Sequence, residues 1–109
     1  MSDSPVLTAL VAGTPREFTF SPGATSDLLA LLRVIHELPG GVTIQEDLTS
    51  GTNRRVILSA ASQPVLEYQP VVLPSEEDQR QRVHAMVTAM KDHGFLYFSD
   101  NGWDHAPEV

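Results

Sequence analysis

Histidine is the one side chain that titrates near neutral pH in its ordinary state, so the histidines are the first candidates for acid–base or metal chemistry. They are His36, His84, His93 and His105. None lies in an HExxH motif, and the nine-residue separation of His84 and His93 would place them on opposite sides of a helix. We predict no shared metal site, and interpret His93 as a cation that stabilises the C-terminal end of a helix.

Possible ligands for a hard cation collect near the end of the chain, at Asp100, Asp104, His105 and Glu108. Their spacing does not match an EF-hand loop, which needs alternating ligands and a glutamate at its last position. An acidic, solvated tail explains the cluster better. The sequence therefore predicts neither a metal nor a cofactor.

Nucleophilic and phosphate-binding motifs are also missing. The chain has no cysteine, which excludes disulfides, thiol nucleophiles and thiolate metal ligands. No serine lies in GxSxG, and neither GxGxxG nor GxxxxGK[ST] occurs. We therefore predict no catalytic residues and expect a protein that is not an enzyme.

Two alternatives remain open. The chain could be an enzyme or an accessory subunit whose site forms between the subunits of an oligomer, and a deep pocket lined by two of five residues would favour this. It could also be a structural component of a larger assembly. The five residues are His36, His84, Glu67, Tyr68 and Trp103.

Charge narrows the choice of partner. Fourteen acidic and seven basic side chains give a formal net charge of −7. This argues against binding to phosphate backbones or to anionic lipid, both of which need clustered lysine and arginine. Arg54 and Arg55 are neighbours in a predicted strand and point to opposite faces, while Arg80 is expected to pair with Glu76 one helical turn earlier. We expect another protein as the partner, one of basic character if the acidic residues share one face, and no direct contact with nucleic acid or membrane.

Aromatic residues near the end of the chain are the best candidates for binding a partner, because tyrosine and tryptophan are enriched at interface hot spots. Trp103 has an alternative role as a lid on the edge of the core. The predicted partner-binding residues are Tyr97, Trp103, Asp100, Asp104 and Tyr68.

The elements that position these residues begin with a predicted β-hairpin over residues 6–20, whose turn is residues 13–16. An amphipathic helix follows, with Thr25 or Ser26 as N-cap and Pro39 at its end. Its apolar stripe has helical spacing. The stripe consists of Leu28, Leu31, Leu32, Ile35 and Leu38.

Three strands are predicted next, over residues 42–48, 54–60 and 65–73. Pro70 interrupts the third, which should therefore lie at a sheet edge. Ser75 and three carboxylates then predict a helix over residues 76–93 that ends at Gly94 and carries the stripe Val83, Met86, Val87 and Met90.

A final strand is predicted over residues 95–98, with a turn at 99–102 and a return strand from Trp103. The order ββ-α-βββ-α-β(β) predicts an α+β, two-layer sandwich in which both helices cover one mostly antiparallel sheet. The opening ββαβ is similar to a β-grasp arrangement, and the order after residue 26 is similar to small acidic secretion chaperones. We expect a single domain over residues 1–109, with residues 1–4 and 106–109 frayed.

Together these features predict a small acidic protein-binding module, such as an adaptor, chaperone, immunity protein or inhibitor. An acidic inhibitor of a nucleic-acid enzyme would group its carboxylates on one face. The apolar edge strand also predicts self-association, most simply as a homodimer. Because the first residues lack the basic and apolar segments of a signal peptide, the expected compartment is the cytoplasm.

Overall fold

A computed structural model describes residues 4–47, 53–69, 74–99 and 102–104. Within these ranges the chain forms seven strands and two helices, which confirms the α+β class and the predicted order of elements. Most of the residues that we expected to fray, 1–3 and 106–109, lie outside the described ranges. The elements are β1 (Val6–Val11), β2 (Thr14–Thr19), α1 (Thr25–Glu37), β3 (Val42–Asp47), β4 (Asn53–Leu58), β5 (Val65–Glu67), α2 (Glu76–His93), β6 (Leu96–Ser99) and β7 (Gly102–Asp104).

The first hairpin is confirmed, with a shorter turn than predicted. β1 and β2 pair antiparallel up to Val11 and Thr14, so that only Ala12 and Gly13 connect them. Both have positive φ angles, 53° and 80°, which suit the two-residue turns that match the twist of the strands. Pro15, predicted as part of the turn, lies in β2. It is tolerated there because β2 is an edge strand.

The strands form two sheets where one was expected. The three-stranded sheet has the order β2-β1-β5, and the four-stranded sheet has the order β4-β3-β6-β7. β3 and β6 are parallel, and the other pairs are antiparallel. β5 pairs with β1, because a 3-10 turn over Ala60–Ser62 and a left-handed Gln63 redirect the chain after β4. β5 is an edge strand as predicted, whereas Pro70 lies outside the described residues.

α1 buries its predicted stripe, but it begins differently. Leu28, Leu31 and Ile35 are buried, as the spacing indicated. The predicted capping by Thr25 or Ser26 is wrong, because a 3-10 turn over Pro22–Ala24 runs directly into the helix. The Thr25 hydroxyl donates a hydrogen bond to the carbonyl oxygen of Pro22 at 3.0 Å instead.

α2 has the predicted boundaries. The Ser75 hydroxyl accepts a hydrogen bond from the Asp78 amide at 3.1 Å, and Gly94 ends the helix in the left-handed conformation. The expected Glu76–Arg80 ion pair is wrong. Glu76 accepts two hydrogen bonds from Arg33 on α1, at 2.7 and 2.9 Å, because the planar guanidinium fits both carboxylate oxygens. Arg80 pairs with Glu77 instead.

The core lies between the helices and the inner faces of both sheets. α1 packs against α2 and β7, and α2 also packs against β6. Phe20, just after β2, meets Phe98 of β6 edge-on, with 6.0 Å between ring centroids. This contact joins the end of the first hairpin to the centre of the four-stranded sheet.

Candidate binding face

The four-stranded sheet has a buried inner face and an outer face that points away from the core. On the inner face, Val42, Ile44, Val56, Leu58, Leu96 and Phe98 belong to the same buried cluster as the stripes of α1 and α2. The alternate positions therefore point outwards, because successive side chains of a strand lie on opposite sides of a sheet. We call these outward residues the aromatic sheet face: Thr43, Gln45, Arg55, Ile57, Phe95 and Tyr97.

Strand pairing brings these residues side by side. Gln45 of β3 lies opposite Arg55 of β4 on one side and beside Tyr97 of β6 on the other. Thr43 lies opposite Ile57 in the neighbouring row. A strand pair places the side chains of such partners about 5 Å apart, which joins the five residues on the strands. Phe95, directly before β6, is joined to them by the Arg55 guanidinium over its ring.

Arg55 is held in place on this face by two neighbours. Its Nε donates a hydrogen bond to Oε1 of Gln45 at 2.8 Å. Its guanidinium carbon lies 4.9 Å from the centroid of the Phe95 ring, which is within cation–π distance. An exposed arginine is therefore ordered across β3, with its terminal amino groups left for other contacts.

Ile57 supplies the apolar part of the face. It is 66% exposed, the highest value among the large hydrophobic side chains that the structure describes. Phe95 and Tyr97 are half-buried on the same side of the sheet. An aliphatic side chain, two aromatic rings and an ordered arginine therefore share one rigid surface, a combination typical of interface hot spots.

The predicted binding residues are only partly brought together. Tyr97 lies on the aromatic sheet face, and Asp104 is its strand partner in β7. Tyr68 follows β5 in the other sheet and is 39% exposed. Asp100 lies outside the described residues. The set is therefore split between two sheets.

Trp103 lies on the inner face of the sheet, whereas Tyr97 lies on the outer face. Trp103 pairs with Phe98 and is 8% exposed. Its backbone N–H donates to Oδ2 of Asp27 at 3.0 Å. The ring therefore packs as part of the core in this conformation, which favours its alternative role as a lid on the core edge over contact with a partner.

The residues singled out for an enzyme site lie apart. His84 lines an open groove between α1 and α2, together with Arg33, Glu37, Arg80 and Val87. Of the five residues that would favour an enzyme, only His84 lines this groove. The two arginines there are already paired with carboxylates of α2. The groove therefore brings together only one of those five residues.

The acidic side chains are dispersed over several elements. Glu46, Glu76, Glu77 and Asp27 each pair with an arginine. Others lie on β2, at the end of α1, on β5 and at both ends of α2: Glu17, Glu37, Glu67, Asp78 and Asp92. The described acidic side chains are therefore spread over both sheets and both helices.

Clusters of metal-ligating side chains are absent from the described residues. Within residues 4–47, 53–69, 74–99 and 102–104, no group of three or more histidine and carboxylate side chains is close enough to hold a metal ion. Asp100, His105 and Glu108 of the acidic tail lie outside them. Neither described helix combines the length and the apolar character needed to cross a bilayer.

The sequence pattern alone did not reveal Arg55, Gln45 and Ile57 as site residues. It did predict correctly that Arg54 and Arg55 point to opposite faces. Arg54 points inwards, where it pairs with Glu46 and lies 5.1 Å from the Phe18 ring centroid. Alternation along β4 was the signal that could have placed Arg55 and Ile57 on the same face. It does not indicate which strands pair with β4 and therefore does not place Gln45 or Phe95 beside Arg55.

Comparison with known proteins assigns no family. The chain matches no protein-family model, and neither the curated proteins nor the solved structures contain a significant match to it.

Proposed function

We propose that this chain is a non-enzymatic protein-binding module that uses the aromatic sheet face to contact its partner. The observation that supports this most directly is the 66% exposure of Ile57 beside an ordered arginine and two aromatic rings. Isolated exposed apolar residues are common, but here the apolar residue is continuous with residue types that dominate interface energetics.

The rigidity of the face supports the same function. All six residues lie on, or directly before, strands whose inner sides are buried in the core. A partner would therefore meet side chains that need little further ordering. Ordering a long side chain at an interface costs about 0.5–1.5 kcal/mol, and Arg55 is already held by Gln45 and Phe95.

The size of the face limits the kind of complex. With three strands about 4.8 Å apart and three positions of about 3.3 Å along each, the face measures roughly 15 by 10 Å, or about 150 Å² in projection. A standard interface buries about 800 Å² on each partner. The partner therefore either binds transiently or extends past the sheet edges.

Two further properties belong to the proposal. Self-association remains a prediction, and its best candidate contact is the β5 edge, where Val65 is 55% exposed. We also propose that the protein acts in the cytoplasm. A chain without cysteine needs no oxidising compartment for its stability.

The test is a comparative capture from extracts of the native host with wild-type protein and two surface variants. Ile57→Lys alters the aromatic sheet face, and Thr88→Lys introduces the same charge on α2 as its control. Both positions are exposed, and unchanged thermal unfolding would verify the fold. We expect specific proteins to be retained by the wild-type chain and by Thr88→Lys, and to be lost with Ile57→Lys. A capture pattern that is the same for all three proteins would contradict the proposed binding face.

A further inference from the structure

We infer that the aromatic sheet face takes a segment of the partner that combines one carboxylate with a bulky apolar side chain close to it in sequence. This inference rests on the proposed function and specifies its ligand. The carboxylate would bind Arg55, and the apolar side chain would pack on Ile57.

Arg55 differs from the arginines that form salt bridges in its hydrogen-bond partner. Arg33, Arg54, Arg80 and Arg82 are each within 2.7 Å of a carboxylate oxygen. Arg55 instead donates to a neutral amide oxygen and stacks on a ring. Among the side chains that the structure describes, no carboxylate lies within 4.0 Å of it.

The geometry of Arg55 suits a carboxylate. Because Nε is bound to Gln45, the hydrogen bond fixes the plane of the guanidinium. The terminal amino groups keep donors in the fork that matches two carboxylate oxygens. Stacking on Phe95 leaves the guanidinium supported from below. A lysine would carry the same charge but could not present this planar fork.

The placement of Arg55 and Ile57 specifies the rest of the ligand. Both residues point outwards from β4 on the same side of the sheet, and the guanidinium of Arg55 is directed across β3 towards Phe95. The side chain of Ile57 is 66% exposed on that same side. The segment therefore carries one carboxylate for the guanidinium and, close to it in sequence, one apolar side chain for Ile57.

The net charge of −7 limits the number of carboxylates in the ligand. Only the carboxylate on Arg55 gains a local cation, while each further carboxylate is repelled by the protein as a whole. The preferred segment therefore has a single acidic residue, and the partner can still be basic elsewhere. This reconciles an acidic chain that attracts basic proteins with a contact that takes a carboxylate.

Selection from a phage-displayed random peptide library tests the inference. The wild-type protein, Arg55→Gln and Ile57→Lys are used as baits, and Arg80→Gln is a matched control in which an exposed arginine outside the face is changed. We expect wild type and Arg80→Gln to enrich peptides with a single acidic residue and a bulky apolar residue close to it in sequence. Arg55→Gln should lose the acidic preference.

Affinities of a selected peptide then give a quantitative check. We expect Arg55→Gln to bind at least about tenfold more weakly, the range of a lost charge-assisted hydrogen bond. Replacing the acidic residue of the peptide by its amide should weaken wild-type binding by a similar factor and leave Arg55→Gln unaffected. If the amide peptide bound Arg55→Gln more weakly than the acidic peptide did, by the same factor as for wild type, the pairing of Arg55 with the carboxylate would be overturned.

The outcomes separate the two proposals. Enrichment of neutral or basic peptides that still depend on Ile57 would overturn the carboxylate inference and leave the proposed function standing. Peptides that bind all four baits equally would contradict both. Occupation of the face by a second copy of the chain or by a single-stranded oligonucleotide, shown by sedimentation with Ile57→Lys as control, would also overturn the inference.

Discussion

The carboxylate of Asp27 on α1 accepts a hydrogen bond from the backbone N–H of Trp103 on β7, with 3.0 Å between Oδ2 and N. Its second oxygen, Oδ1, accepts from Nη1 of Arg82 on α2 at 2.6 Å. The Asp27 side chain is only 13% exposed. One partly buried carboxylate therefore joins both helices to the last strand, behind the binding face.

Loss of this carboxylate should destabilise the fold. We expect Asp27→Ala to lower the free energy of unfolding by about 2 kcal/mol, because it leaves a buried N–H and a partly buried guanidinium without their acceptor. Urea denaturation followed by circular dichroism measures the change. Glu77→Ala, which removes an exposed ion pair within α2, is the control and should cost at most about 0.5 kcal/mol. Equal urea midpoints for the two variants would refute this role of Asp27.

Close approach of β7 to Asp27 requires glycine at position 102. Gly102 has a φ of 114°, and a Cβ there would lie 2.5 Å from Oδ2 of Asp27. We expect Gly102→Ala to cost more than about 1 kcal/mol. The emission of Trp103, the only tryptophan, should also shift to longer wavelength as the strand is displaced. Gly40→Ala is the control, because a Cβ at that position meets no atom within 4 Å.

The ion pair between Arg33 and Glu76 predicts a specific pH dependence. The hydrogen bonds from Arg33 hold the pKa of Glu76 below its ordinary value of 4.5. A carboxyl group whose pKa is lower in the folded state stabilises the fold above pH 4.5, and this contribution is lost as the pH falls through the lowered pKa.

A double-mutant cycle with Arg33→Gln and Glu76→Gln isolates that contribution. We expect a favourable coupling free energy at pH 7, because both groups are charged there, and its decline as the buffer is brought below pH 4. Chemical denaturation of the four proteins at each pH provides the measurement. Coupling of the same size at both pH values would show that the pair does not titrate as described.

Self-association should depend on the β5 edge. We expect sedimentation equilibrium of the wild-type chain to give a mass that rises with concentration above the 11.9 kDa of one chain. Val65→Lys should shift the equilibrium to the monomer, since a charged edge opposes strand pairing. A wild-type protein that remains monomeric at every concentration would remove the prediction.

Sequence reasoning was most accurate for features that a few neighbouring residues decide. α2 begins after Ser75 and ends at Gly94 as predicted, because helix caps form with amides and carbonyls of the adjacent turn. Local reasoning failed at the start of α1, where the Pro22–Ala24 turn supplies the helical geometry that a capping side chain was expected to begin.

Ion pairing was not predictable from helix spacing. Glu76 is one turn from Arg80 in sequence, yet it binds Arg33 on another helix. The spacing rule describes an isolated helix, whereas the fold placed a second cation within reach. Exposed pairs within a helix contribute little, so a bidentate partner from another element readily replaces them.

The amino-acid sequence by itself determined the class of the fold, the order of its elements and the apolar stripes of both helices, because these follow from periodicity and turn chemistry within short segments. The tertiary structure alone decided that β5 leaves the second sheet for the first, that Trp103 faces the core, and that Arg55 reaches across β3 to Phe95. The pairing of strands that are far apart in the chain depends on the packing of the whole core, and local sequence patterns do not indicate it.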